Sequence, residues 1–321
     1  MRKTVIITQG VNHLIKSLLS SNEILIAGIV ESAPAISSRK KSHYKLKKSI
    51  LNLLNRIPFR NSLYIESKKR GIPFFFLDKF NFILFDNWLK KINPELVLVY
   101  SMSQLIPDYV LNNRNYKFIN LHPSLLPSYR GPNPWFWVVY NMETQSGLTL
   151  HYIDKGEDTG DIISQVKFDI PIPMNSESFQ KIILENQGKE LVLNFIRKFN
   201  AGEHIESIKQ PEKSPTKRAR GIKKNQHTKI INFQEFSVYR IWHILCSTKS
   251  WLYALPPPNF FYSGQRYRAM RYERKTTKGF SPGNIYKSGK EYILECKDGI
   301  IYLKLKWSFK DLLIYLYRRF L

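Results

Sequence analysis

Residues 3–30 read KTVIITQGVNHLIKSLLSSNEILIAGIV. Val5-Ile6-Ile7 is a short apolar run that ends at Gln9-Gly10. Leu14, Leu18 and Leu19 then recur at helical spacing, and Ile24–Val30 is a second apolar run. Strand, turn, helix and strand in this order form a βαβ unit and predict a parallel sheet covered by helices. Only Gly10 stands at the first turn, so the G-x-G-x-x-G dinucleotide fingerprint is absent. A Rossmann-like fold is expected, and a bound NAD is not.

The same pattern continues downstream. Gly71–Phe76 reads as a short strand, Phe82–Ile92 as a helix stopped by Pro94, and Leu96–Tyr100 as a strongly apolar strand. Phe118–His122 is a brief strand, Pro134–Tyr140 a helix, and Leu148–Ile153 and Phe168–Ile172 are further strands. Ser176–Phe199 reads as one long helix. Residues 201–229 are polar, basic and Pro-containing, which predicts a linker. Beyond it, Val238–Cys246 has helical spacing, and residues 251–307 hold short strands between turn signals, a layout that suits a small β-barrel. Residues 309–321 read as a short amphipathic helix. The expected division is a catalytic domain over 1–200, a basic linker over 201–229 and a barrel-like domain over 230–321. A length of 321 residues accommodates two domains.

Lys and Arg total 50 against 25 Asp and Glu, a net charge of +25. Such an excess points to a polyanionic partner. The basic residues are dense between Arg39 and Arg70, where Leu46, Ile50, Leu53, Leu54 and Ile57 mark an amphipathic helix. Two cysteines, Cys246 and Cys296, exclude a disulfide framework and a Cys-based zinc site. The start, MRKTVIITQG, is too short and polar for a secretory signal, and no apolar run is long enough to span a membrane. The expectation is a cytoplasmic protein.

Chemistry concentrates in two segments, Asn120-Leu121-His122-Pro123-Ser124-Leu125-Leu126-Pro127-Ser128-Tyr129-Arg130-Gly131 and Asp154-Lys155-Gly156-Glu157-Asp158-Thr159-Gly160-Asp161. Asn120 and His122 are two apart, so an extended strand presents both on one face. At the carboxyl end of a strand they face the crevice where open α/β sheets bind ligands. An Asn amide can donate to a developing oxyanion, a His can exchange a proton with an attacking amine, and an Asp can stabilise the imidazolium. Ser124 has no nucleophile-elbow context and reads as a structural hydroxyl. The set is suited to direct acyl transfer without a covalent enzyme intermediate.

N-L-H-P-S-L-L-P-S-Y-R-G, followed by G-L-T-L-H-Y-I-D-K-G-E-D-T-G-D-I-I, resembles the 10-formyltetrahydrofolate-dependent formyltransferases. The resemblance is firm over residues 90–200. It implies that Asn120, His122 and Asp158 are the catalytic residues. It implies that formyl-folate, as co-substrate and with no metal, lies along Ser101–Ile106 and Asp154–Asp158, touching Met102, Gln104, Ile106, Asp154 and Gly156. The S-L-L-P-x-x-R-G run supplies the acceptor-side candidates Ser124, Leu125, Leu126, Pro127 and Arg130. Ile231-Asn232-Phe233, Pro282-Gly283-Asn284-Ile285 and Asp298-Gly299 resemble the family's OB-like C-terminal barrel.

Two acceptors fit this family. The basic surface and domain layout favour methionyl-tRNA, and hence a role in translation initiation. Pro132-Asn133-Pro134-Trp135-Phe136-Trp137, where the tRNA enzymes usually carry A-A-P-I, points to a nucleotide-linked amino sugar. A non-catalytic RNA-binding protein on the same scaffold is the weakest alternative, because all three catalytic residue types are present.

Overall fold

A computed structural model describes residues 1–33, 62–112, 115–174, 176–248, 251–256, 266–276 and 279–306. Most of the basic segment 39–70 and the whole of the tail 309–321 lie outside the described residues. The chain divides into two compact units. The first comprises Met1–Trp135, Ser146–Phe168 and Gln180–Arg220; the second comprises Phe136–Gln145, Asp169–Phe179 and Gly221–Leu321.

The first unit is built on a sheet of seven described strands in the order β3-β2-β1-β4-β5-β6-β7. These are β1 (Lys3–Thr8), β2 (Leu25–Ser32), β3 (Phe74–Leu77), β4 (Leu96–Tyr100), β5 (Lys117–His122), β6 (Gln145–Tyr152) and β7 (Ile162–Asp169). β1 to β5 pair in parallel, and β6 runs antiparallel to β5. The middle strands are covered on both faces, which accounts for their unbroken apolar sequences: Val5, Ile6, Ile7, Leu96, Val97 and Leu98 are fully buried.

Helices α1 (His13–Leu19), α2 (Leu63–Lys69), α3 (Phe82–Ile92) and α4 (Asp108–Leu111) connect the parallel strands. The first turn replaces a glycine-rich loop with an Asn cap: Asn12 Oδ1 accepts a hydrogen bond from the Ile15 amide at 3.0 Å. α3 buries Phe82, Phe85 and Leu89 against Val97, Val99 and Phe118. It ends where Asn93 turns left-handed at φ 50° and donates its amide to the Leu89 carbonyl. Pro94 then prevents continuation.

α5 (Pro134–Tyr140) has the bounds expected from its sequence. The expected helix Ser176–Phe199 is instead three successive pieces, α6 (Ser176–Ser178), a π-helical run (Phe179–Gly188) and α7 (Lys189–Ala201). The wider π turn brings Gly188 against Leu148 and Leu121, which lie 3.3 and 3.4 Å from where its Cβ would stand. β7 covers 162–169 rather than 168–172. Its sequence IISQVKFD buries only Ile162 and Phe168, too few for the apolar pattern to reveal its start.

The second unit carries an antiparallel sheet in the order β8-β11-β10-β9, formed by β8 (Tyr267–Arg274), β9 (Ile285–Ser288), β10 (Glu291–Cys296) and β11 (Gly299–Leu305). Asp298-Gly299 makes the β10–β11 turn, and the Asp298 carboxylate accepts the first amide of α8 (Val238–Ser247) at 2.7 Å. Both cysteines are buried, and neither forms a disulfide.

α8 also carries a local conflict. His243 is fully buried, and neither ring nitrogen has a hydrogen-bond partner among the described residues; the same holds for Ser247 Oγ one turn later. Burial lowers the His243 pKa from 6.5 to about 4. The unfolded chain therefore binds a proton that the folded unit refuses, so stability falls as pH drops from about 6.5 to about 4. The loss is on the order of 3 kcal/mol at the acid end. His243→Leu should remove this dependence and raise the melting temperature, more at pH 5 than at pH 7.5. Identical melting shifts at the two pH values would refute the account.

Candidate active site

The site begins with the alternation of β5. Asn120 and His122 share one face, while Leu121 is buried on the other. β6 pairs antiparallel with β5 and sets His151 opposite Asn120. The antiparallel register thus adds a second imidazole to the same face.

Asp158 arrives on the loop between β6 and β7, and the spacing of that loop has a steric origin. Asp154 Oδ1 accepts from the Gly156 amide at 3.0 Å and from Thr159 Oγ1 at 2.6 Å, closing a tight turn. A Cβ on Gly156 would stand 2.0 Å from Thr159 Oγ1, and one on Gly160 would stand 2.0 Å from the Tyr152 carbonyl oxygen. Asp158 itself is left-handed at φ 55°, a conformation that Asp adopts more readily than most residues.

The Asp158 carboxylate is the centre of the cluster. Oδ2 accepts from the Gly131 amide at 2.9 Å, and Oδ1 accepts from Asn120 Nδ2 at 3.3 Å. Oδ1 lies 3.5 Å from His122 Nδ1 and 3.7 Å from His151 Nε2. His122 Nε2 donates to the Tyr129 carbonyl at 3.0 Å, so its Nδ1 is the nitrogen that faces the carboxylate. His151 Nδ1 donates to the Tyr152 carbonyl at 2.8 Å, leaving Nε2 to accept from Asn120 Nδ2 at 3.0 Å. One carboxylate therefore sits between two histidines with different hydrogen-bond patterns.

Their charges follow. Burial opposes a charged His122, but the Asp158 carboxylate overcomes it and raises the His122 pKa. Burial, reinforced by the His122 charge, drives the His151 pKa down to about 4. Burial would raise the Asp158 carboxyl; the two imidazoles and the Gly131 amide instead hold it at about 2. Between the His151 pKa of about 4 and the raised His122 pKa, Asp158 is anionic, His122 cationic and His151 neutral.

These side chains line a cleft of about 220 Å³ at the carboxyl ends of β4 and β5. Met102, Gln104, Ile106, Asp154 and Gly156, the candidate co-substrate residues, line it too. Their roles divide. Gln104 spends its amide on the end of β2, donating to the Ala33 carbonyl at 2.7 Å and accepting from Ser32 Oγ at 2.5 Å. Gln9 donates to Ser103 Oγ in the same loop. Gln104 is therefore a brace for Ser101–Ile106, and Met102 and Ile106 pack against the core below it.

The candidate acceptor residues are not gathered at the cleft. Ser124 is fully buried and donates to the Ser128 carbonyl at 2.7 Å, consistent with a structural hydroxyl. Leu125 packs over Gly147, where a Cβ would stand 2.3 Å from Leu125 Cδ2. The Leu126 amide donates to Thr149 Oγ1 at 3.1 Å, and the Pro127 carbonyl accepts from Ser214 Oγ at 2.7 Å. Arg130 is buried, and its guanidinium donates to Gln210 Oε1 and to the carbonyls of Pro211 and Glu212. The run thus folds into the wall behind His122. Two residues of the site carry no role in the sequence reading: His151, whose position depends on strand register, and Gln210, from the stretch expected to be a linker.

No described helix is long and apolar enough to cross a membrane. Among the described residues, no three His, Cys, Asp or Glu side chains converge as a metal-binding group.

Residues 84–194 match the protein-family model described as Formyl transferase. A methionyl-tRNA formyltransferase of Thermodesulfovibrio yellowstonii is 31% identical over 219 residues, 67% of this chain and 67% of that protein. Another, of Syntrophus aciditrophicus, is 41% identical over 113 residues, 35% of this chain and 36% of the relative. The chain thus spans from about a third to about two thirds of the length of these curated relatives. Among solved structures, WlaRD, described as a sugar 3N-formyl transferase, is similar in fold with a TM-score of 0.60 at 18% identity, over 96% of this chain and 99% of that one. The chain belongs to the formyl transferase family.

Proposed function

We propose that this protein transfers a formyl group from 10-formyltetrahydrofolate to the amino group of methionyl-tRNA, in the cytoplasm and in the service of translation initiation. The observation that carries the reading is the Asp158 carboxylate held within 3.7 Å of Asn120, His122 and His151 in one cleft. Family membership supports the reaction, and the names of the similar proteins together with the +25 charge support the acceptor. On the same reading, the four-stranded C-terminal sheet is part of an OB-like barrel following the catalytic domain.

The cleft suits such a co-substrate: an apolar wall from Met102 and Ile106, with the ionised cluster at one end. The acceptor's neutral amine attacks the formyl carbon, and negative charge develops on the formyl oxygen. Protonated His122 supplies the compensating charge, and Asp158 keeps that imidazolium protonated in its buried setting. Both N–H groups of Asn120 are engaged, by His151 at 3.0 Å and by Asp158 at 3.3 Å. The longer bond is the one that yields, so that Asn120 donates to the oxyanion while His151 keeps the amide oriented. The amine's proton reaches the departing folate nitrogen within the same cluster.

The Pro132–Trp137 sequence favours a second acceptor, a nucleotide-linked amino sugar. A formyl-transfer assay offering methionyl-tRNA and a panel of such sugars side by side decides between them. Transfer to methionyl-tRNA, weakening steeply as salt rises, is the expected result. Transfer to the sugars alone would overturn the tRNA assignment and leave the reaction class standing.

A further inference from the structure

The polar stretch after α7 crosses the first unit as an extended strap. Ile208 pairs with Ile162 beside β7, exchanging two backbone hydrogen bonds of 2.8 Å. Gln210 Nε2 donates to the carbonyls of Asp158, at 3.1 Å, and Gly160, at 2.6 Å. Gln210 Oε1 is fixed in turn by Arg130 Nε at 3.1 Å and Nη2 at 2.8 Å. Further on, Thr216 Oγ1 accepts from the Tyr129 amide at 2.6 Å, and the Ala219 amide donates to the Arg130 carbonyl at 2.7 Å.

Both loops held in this way carry a group that faces His122. Asp158 faces Nδ1, and the Tyr129 carbonyl faces Nε2. Both residues are non-glycine and left-handed, Asp158 at φ 55° and Tyr129 at φ 61°. Such backbones persist where the surroundings over-determine them. We propose that the strap is a positioning element of the active site, with Gln210 and Thr216 as the positioning residues that hold the two partners of His122 in place.

The kinetic arm of the test rests on the formyl-transfer reading; the spectroscopic arm does not. Charged and titratable groups acting on His122 are Asp158 in contact, His151 with its ring centroid 6.2 Å away, and Glu157, which is paired with Arg218. None is altered by Thr216→Val, which removes the hydroxyl that accepts from the Tyr129 amide and lies 3.3 Å from Ser214 Oγ. In substrate-free full-length protein, NMR of the imidazole nitrogens should show the His122 titration midpoint moved toward acid by about half a pH unit. In the assay, kcat should fall about 10-fold while KM for 10-formyltetrahydrofolate stays within about 2-fold. Thr216→Ser should restore both. Gln210→Leu should reproduce the loss through Asp158. Ser214→Ala loosens the same strap most gently and carries the test if either stronger variant fails to fold.

An unmoved midpoint and kcat in the folded variants would overturn the proposal, as would a loss that Thr216→Ser does not restore. A wild-type protein without formyl-transfer activity would overturn the functional reading instead, and the NMR titration would still decide the strap.

Discussion

Asp158→Asn is expected to lower kcat by about 10²–10⁴-fold and to move the descending limb of the pH–rate profile toward acid. In the wild-type site, the carboxylate raises the His122 pKa against the penalty of burial. The imidazolium, and the activity that depends on it, are therefore present below that raised pKa and are lost as pH rises through it. Removing the negative charge leaves burial opposed only by the Tyr129 carbonyl and the more distant Glu157, so the His122 pKa falls. The asparagine keeps the size of the side chain and an oxygen for the Gly131 amide, so the fold should persist. Profiles of kcat from about pH 5 to pH 9 in both proteins check the prediction. A large loss of kcat with an unshifted limb would mean that Asp158 positions His122 without setting its charge.

Asn120→Ala should lower kcat by about 10²–10³-fold, the cost of one preorganised donor aimed at a developing oxyanion. KM for the formyl donor should change little, because the bond in question forms only as charge develops. The truncation also leaves His151 Nε2 without its donor, so a companion variant, His151→Phe, separates the two effects. That change removes the acceptor for Asn120 but leaves its amide free to donate, so its loss should be the smaller of the two. If His151→Phe matched Asn120→Ala, the neutral histidine would have to take part in the chemistry itself.

The parts of this site visible in the sequence are those governed by local rules. An i, i+2 pair fixes that Asn120 and His122 share a face, and Asp154, Gly156 and Gly160 mark a turn whose shape follows from sterics. The bounds of α3, β4 and α5 follow from apolar spacing and proline, and the structure reproduces them. His151 was hidden because alternation in Leu148–Ile153 says only that it faces away from Leu150; which strand it meets depends on the antiparallel register with β5. The stretch after Ala201 misled for another reason. Its polarity suggests a solvated linker, yet it is anchored by side-chain and backbone hydrogen bonds rather than by apolar burial, a mode that hydropathy does not register. It stays with the first unit as far as Arg220 instead of leaving it at 200. The acceptor-side run shows the reverse: Arg130 looks like a ligand group by type, but the fold uses its guanidinium, like the Ser124 hydroxyl, to tie its own backbone.

The strap also bears on how the protein is made. Synthesis runs from the N-terminus, and domains tend to fold as they emerge. Asn120, His122 and Asp158 are all joined to the growing chain before Gln210 and Thr216 exist. While the ribosome is still adding residues 160–207, the central strands can pair, but the hydrogen bonds of Gln210 to the Asp158 carbonyl and of the Tyr129 amide to Thr216 cannot yet form. On the proposal that the strap positions the site, assembly of the cluster waits for a segment that contributes none of its side chains. A nascent chain halted before that point would hold the three reactive side chains without the frame that arms them.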